Sequence, residues 1–273
     1  MADHSDTPTT PSTLTNEWRA AAASAIGQSH AASKTGCQDA VHWRRAGGAR
    51  EVLVAAVADG ASSASLGRAG AEVASLAAVD AVCALAPAWP ADTDGDAWRA
   101  ALRQVVITAC NALVAEAAAR GAALDDLATT LVLVVATPGL VAAAQVGDGA
   151  AVVADEFGRL ATITRPARGE YANTTTFLTT PDAVESAQIV AWPGRVAHVA
   201  AFSDGLQMLA LNLADSAPHA PFFEPLFALI AGSSDERAAG AAIEQFLASP
   251  RVTERTDDDL TLFLGARLRT AAT

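Results

Sequence analysis

Three apolar runs in this chain end in the same way. "VLVAAVADG", "LVAAAQVGDG" and "VAHVAAFSDG" each have the length and composition of a buried strand, and each closes on Asp-Gly. A near-continuous apolar run is what a strand covered on both faces requires. Asp-Gly is among the commonest turn dipeptides, and a turn is its ordinary meaning at a strand end. Asp94-Gly95, in the polar stretch 87–98, needs no other explanation. The pairs Asp59-Gly60, Asp148-Gly149 and Asp204-Gly205 have company, however: Asp257-Asp258-Asp259 immediately precedes the run "LTLFLG", and Asp39 in "GCQDA" lies one short hairpin before the strand ending at Asp59. Segments far apart in the chain thus each put an aspartate at the end of a predicted strand. In adjacent sheets such ends can converge.

Converging carboxylates repel, raise one another's pKa and call for cations. Hard oxygen ligands without a His or Cys cluster select magnesium or manganese over zinc. A glycine after each aspartate allows close backbone approach and can offer its own carbonyl as a ligand.

The strand candidates are Glu51–Ala58, Leu131–Ala136, Leu140–Val146, Ala150–Ala154, Leu160–Ile163, Arg195–Phe202 and Leu260–Leu264. Short turns such as Thr137-Pro138-Gly139 and Glu156-Phe157-Gly158 join several of them, which predicts antiparallel meanders. Helices are predicted over 67–85, 97–119, 222–231 and 236–248. In the second, Trp98, Leu102, Val105, Val106, Ala109 and Leu113 form one apolar stripe at helical period, a core face. Strands and helices do not alternate regularly, so an α+β layered architecture is expected rather than a doubly wound parallel sheet. Residues 1–16, polar and proline-bearing, read as a disordered tail, and 17–273 as one domain.

The net charge of −12 and pI near 4.7 argue against a nucleic-acid partner, which would need clustered Lys and Arg. No membrane partner is expected either. The most membrane-like stretch, residues 131–146, is cut by Pro138-Gly139 into two strand-length halves. Cys37, Cys83 and Cys110 are an odd set without CxxC spacing, and the N-terminus lacks a secretory pattern; a cytoplasmic location is expected.

The ordered set "GCQDA", "VADGASSAS", "ATTLVLV", "VGDG", "AFSDG" and "DDDLT" resembles the metal-dependent protein serine/threonine phosphatases of the type-2C family. It is most similar to the bacterial branch, whose opening "GxSH…QDA" and later "YANTTTFLT" are both present; the resemblance covers about residues 24–268. It implies a four-layer α/β/β/α fold, an antiparallel β-sandwich flanked by helices on both faces. It also implies two divalent ions, Mn or Mg, that activate a water, and a phosphoprotein substrate that a Ser/Thr kinase has modified. By motif match Asp59 is the bridging carboxylate, Gly60 offers its carbonyl, and Asp204 and Asp258 complete the pair of sites. Asp39 binds directly or through water, and Asp148 holds a third, weaker ion. Thr129 and Thr130 match paired threonines that buttress a neighbouring loop; Asn173 reads as a turn residue.

The chain departs from the family pattern at three points. The arginine that grips the phosphate is missing, with His30 and Lys34 as the phosphate-binding candidates in its place. Ala61 stands where many members carry a histidine. The last motif reads Asp258-Asp259 in place of Asp-Asn. Two alternatives stay open: a small-molecule phosphomonoesterase, which nothing in the sequence excludes, and a catalytically weak regulatory module, which the missing arginine and Ala61 favour. Other phosphatase chemistries lack their motifs, since Asp59 heads no Asp-x-Asp and no cysteine has an arginine six positions on. Residues 208–225 are expected to form a lid or specificity segment.

Overall fold

Successive side chains of a strand point to opposite faces, so a strand that is apolar at every position must be covered twice. The computed structural model, which describes residues 13–47, 51–85, 88–166 and 175–270, meets that demand with four layers. Among the described residues the strands are β1 (Thr13–Ala25), β2 (Asp39–Ala46), β3 (Val52–Asp59), β4 (Leu131–Ala136), β5 (Leu140–Val146), β6 (Ala150–Asp155), β7 (Leu160–Thr164), β8 (Gln188–Pro193), β9 (Val196–Phe202) and β10 (Leu260–Thr270). The helices are α1 (Gln28–Ser33), α2 (Gly67–Ala84), α3 (Gly95–Arg120), α4 (Ala183–Ser186), α5 (Gln207–Ala210), α6 (Ala220–Gly232), α7 (Glu236–Leu247) and α8 (Pro250–Thr253).

One sheet has the order β2-β3-β4-β5-β8 and the other β1-β10-β9-β6-β7; the pairings are antiparallel. On β3, Val52, Val54 and Ala56 face α2 and α3, while Leu53, Ala55 and Val57 face the opposite sheet. On β9, Val199 and Ala201 join that inter-sheet core, while Ala200 and Phe202 pack against Phe223 and Phe227 of α6. The expected α+β sandwich with helices on both faces is therefore the observed one.

Helix α3 carries the predicted stripe: Trp98, Leu102, Val105, Val106, Ala109 and Leu113 are buried. It is also the one described helix long and apolar enough to cross a membrane by length and composition, with a mean hydropathy of 1.2 in its most apolar window. The stretch 131–146, the most membrane-like in sequence, is the β4–β5 hairpin.

Two expectations differ from the structure. Residues 13–16, read as part of the tail, open β1; residues 1–12 lie outside the described residues. Strands β1, β2 and β8 were not among the strand candidates, and all three are edge strands. An edge strand is paired on one side only and carries polar residues where a central strand is apolar. β8 has no fully buried residue and ends in Pro193, while β1 is rich in alanine, a weak strand former.

Candidate metal centre and active site

The carboxylates gather at one end of the sandwich because the antiparallel registers bring those strand ends together. Asp39 opens β2 and Asp59 closes β3, and the two are direct partners in the ladder. Directly opposed residues point to the same face, where like charges destabilise the pair. Asp204 follows the end of β9, Asp258 precedes β10, and Asp148 sits in the turn between β5 and β6. Asp59, Asp148, Asp204 and Asp258 line a pocket of about 160 Å³ together with Gly60, Ala61, Thr130 and His30. Asp39 lies beneath it, 1% exposed.

Small residues set the close approaches. A Cβ on Gly60 would stand 2.3 Å from the carbonyl carbon of Gly67, so the strand-to-helix turn admits no larger residue. Gly147 has φ +100°, and a Cβ there would meet the Thr130 side chain at 2.5 Å. The two threonines grip the Asp59 peptide: its N–H donates to Thr130 Oγ1 (3.1 Å), and its carbonyl accepts from the Thr129 hydroxyl (2.9 Å) and the Thr130 N–H (2.8 Å). The expected buttress thus falls on the end of β3 at Asp59.

Burial raises the acidities' midpoints first, and mutual repulsion adds to it. Asp39 is pushed up to about 7 by burial and by the charges of Asp259 and Asp204, against the hydrogen bonds from Ser203 and Thr261. Asp204 is pushed up to about 6 by burial, Asp148 and Asp258. Asp59 is raised well above the usual carboxylate range by burial, then by Asp39 and Asp204. Oδ1 of Asp39 and Oδ1 of Asp204 are buried without a hydrogen-bond donor. A buried acceptor left unpaired is costly, and a cation is the partner that satisfies several at once.

The donor set fits hard divalent ions. Among the described residues no three His, Cys, Asp or Glu side chains stand together as a group that could by itself hold a metal ion. Magnesium-type sites need no such group, because the ion keeps several waters and takes one or two carboxylates.

His30 and Lys34 separate clearly. Lys34 is the exposed C-cap of α1, in a left-handed conformation (φ 61°), and is not part of the pocket lining. His30 lines the pocket, and its Nδ1 lies 2.8 Å from Oδ2 of Asp259. Asp259 also accepts the N–H groups of Gly27 (2.6 Å) and Gln38 (2.5 Å) and is 1% exposed. It acts as an acceptor throughout, so Nδ1 carries the hydrogen and Nε2 is the nitrogen left for the pocket. Asp259, the last aspartate of "DDDLT", therefore orients a pocket histidine.

Sequence reasoning passed over several supporting groups. Ser203 donates to Asp39 Oδ2 (2.7 Å) and accepts from the Thr261 N–H (3.0 Å), tying β10 to the cluster. Thr175 donates to Asp148 Oδ2 (2.7 Å), and Gln207 donates to the Asp148 carbonyl (2.5 Å). Ser203 and Thr175 stood inside quoted motifs, but nothing in one sequence tells which hydroxyl meets which carboxylate. Asn173 lies outside the described residues.

Comparison with known proteins places this geometry. The family profile described as "Protein phosphatase 2C" matches residues 26–248. The chain is 38% identical over 251 residues to Serine/threonine-protein phosphatase 3 of Escherichia coli (strain K12), covering 90% of this chain and 97% of that protein. Among solved structures, serine/threonine phosphatase Stp1 from Staphylococcus aureus superposes with TM-score 0.61 at 16% identity, over 93% of this chain and 96% of its own. The catalytic domain of serine/threonine protein phosphatase PstP, solved in complex with two manganese ions, does so with TM-score 0.57 at 18% identity, over 92% of this chain and 98% of its own. The expected resemblance holds along most of the sequence, and the chain belongs to the protein phosphatase 2C family of metal-dependent serine/threonine phosphatases.

Proposed function

We propose that this phosphatase hydrolyses phosphoserine and phosphothreonine in proteins with a water held between two divalent cations, Mn or Mg, and forms no covalent intermediate. The observation that carries the reading is the cluster itself: buried, mutually repelling Asp39, Asp59 and Asp204 around a pocket, with two carboxylate oxygens lacking donors. Asp59, the Gly60 carbonyl, Asp204 and Asp258 would hold the pair, with Asp39 beneath them and Asp148 at a third, weaker site. Bound there, such cations supply a water of lowered pKa and positive charge for the phosphoryl oxygens.

The chain's own residues do the rest. Thr129 and Thr130 fix the Asp59 backbone, Ser203 fixes Asp39, and Asp259 holds Nδ1 of His30, which would leave Nε2 for the phosphate. His30 takes the place of the missing arginine; exposed Lys34 does not. The free cysteines Cys37, Cys83 and Cys110 accord with a reducing, cytoplasmic setting, where the enzyme would oppose a Ser/Thr kinase.

The test is hydrolysis of a phosphothreonine peptide by the purified protein with manganese, with magnesium and with chelator. Release of phosphate only with a divalent ion is expected. An equal rate in chelator would sink the two-cation reading, and turnover of small phosphate esters alone would sink the phosphoprotein reading.

A further inference from the structure

Beside the carboxylate pocket runs a groove of about 550 Å³ between α5 with its following loop, α6, and the end of α7 with α8. Leu211, Phe222, Phe246 and Val252 give it an apolar lining, and Met208 at its lip is 63% exposed. A flexible, polarisable methionine is suited to contact side chains of varied shape. Arg251 of α8 and Arg255, just past its end, line the same groove and are exposed. Arg44, Arg45, Arg68 and Arg120 sit on carboxylates, but among the described residues Arg251 and Arg255 have no ion-pair partner. In a chain of net charge −12, these two cations set positive charge beside an apolar floor.

The groove is connected to the pocket from both sides. Met208 lies four residues after Asp204, and Arg255 three residues before Asp258. At no more than ~3.6 Å per residue, their Cα atoms lie within roughly 14 Å and 11 Å of those carboxylate residues. Gln207, next to Met208, holds the Asp148 carbonyl. Across the groove, Gln28 and Ser29 of α1 donate to the carbonyls of Thr253 and Asp257, joining the α8 wall to the helix that carries His30.

The opposite wall is preset. Leu211 and Pro218 pair as an isolated bridge, the Ser216 N–H donates to the Asn212 carbonyl (2.7 Å), and Ser216 itself has φ 58°. From β7, the Thr162 hydroxyl donates to the Ser216 carbonyl (2.7 Å). A groove whose walls are already ordered binds without the entropy cost of ordering them.

The geometry points to this groove as the docking site for the substrate polypeptide beside its phosphorylated residue. Apolar side chains of the substrate lie on the floor, and its Asp or Glu side chains pair with Arg251 and Arg255. The inference rests on the phosphoprotein reading above and adds to it a preference in substrate sequence.

The experiment uses the full chain with manganese and three substrates: a phosphothreonine peptide flanked by Leu and Asp, the same peptide flanked by Gln and Lys, and p-nitrophenyl phosphate. The wild type is compared with the double variant Arg251→Glu/Arg255→Glu. The wild type is expected to favour the acidic peptide through KM. The double variant should raise KM for that peptide roughly tenfold, reverse the preference, and leave p-nitrophenyl phosphate within twofold, with the effect shrinking in high salt. An unchanged preference in the variant overturns the docking role. A parallel fall on p-nitrophenyl phosphate in a variant of unchanged melting temperature overturns it too, by assigning the arginines to the pocket. A wild type active on p-nitrophenyl phosphate but on neither peptide overturns the phosphoprotein reading, and the groove's role with it.

Discussion

At the scale of the residue, the tension lies between Asp39, Asp59 and Asp204, each forced into a place where its charge is unwelcome. Replacing Asp59 or Asp204 by Asn keeps the shape and removes one repelling charge. Turnover should fall by at least a thousandfold, roughly 4 kcal/mol of transition-state stabilisation. Melting in chelator should stay at or rise above the wild-type temperature, while the increase that manganese brings to the wild type should shrink. Near-normal metal-dependent turnover in either variant would show that these carboxylates are not the ligands. The same contrast separates an active-site role from a structural one, since a residue holding the fold would lower melting in both conditions.

Among the elements, the junction of β3 with α2 is the tightest. Gly60 follows the strand and packs on Gly67 at the head of the helix, with the Gly60 N–H donating to the Gln38 carbonyl (3.3 Å). Gly60→Ala would force that junction apart, at a cost of about 1–3 kcal/mol. A melting temperature lowered by roughly 2–10 °C is expected, with weaker manganese binding by calorimetry. An unchanged melting curve would mean that the close approach is not maintained in solution. This junction also shows what one chain's sequence can and cannot tell. The strand run ending in Asp59-Gly60 was legible because burial on both faces leaves an unbroken apolar signature, as it does for β4, β5, β6 and β9. Edge strands β1, β2 and β8 leave no such trace. The aspartates that line the pocket were legible by motif. The pairing of His30 with Asp259 was not, because it joins residues 229 positions apart through a register that only the folded sheets create.

For the whole molecule, the cluster makes stability depend on pH and on metal together. Folded-state values near 7 for Asp39 and near 6 for Asp204, against 3.8 in a free carboxylate, mean that the folded chain holds protons which the unfolded chain has released. Stability in chelator should therefore be fullest below about pH 4 as far as these groups are concerned, and should be lost as pH rises towards 7. Divalent ions displace the same protons, so the rise in melting temperature produced by saturating manganese should be larger at pH 7.5 than at pH 5. An increment independent of pH would detach the ions from these carboxylates. The placement of these carboxylates adds a mechanical side to this. Asp39 and Asp59 belong to one sheet, Asp204 and Asp258 flank strands of the other, and Asp148 lies in the turn that passes between them. A cation seated among them would be a rivet through two plates. Without it, the same charges would act as a wedge between the two sheets at that end of the sandwich.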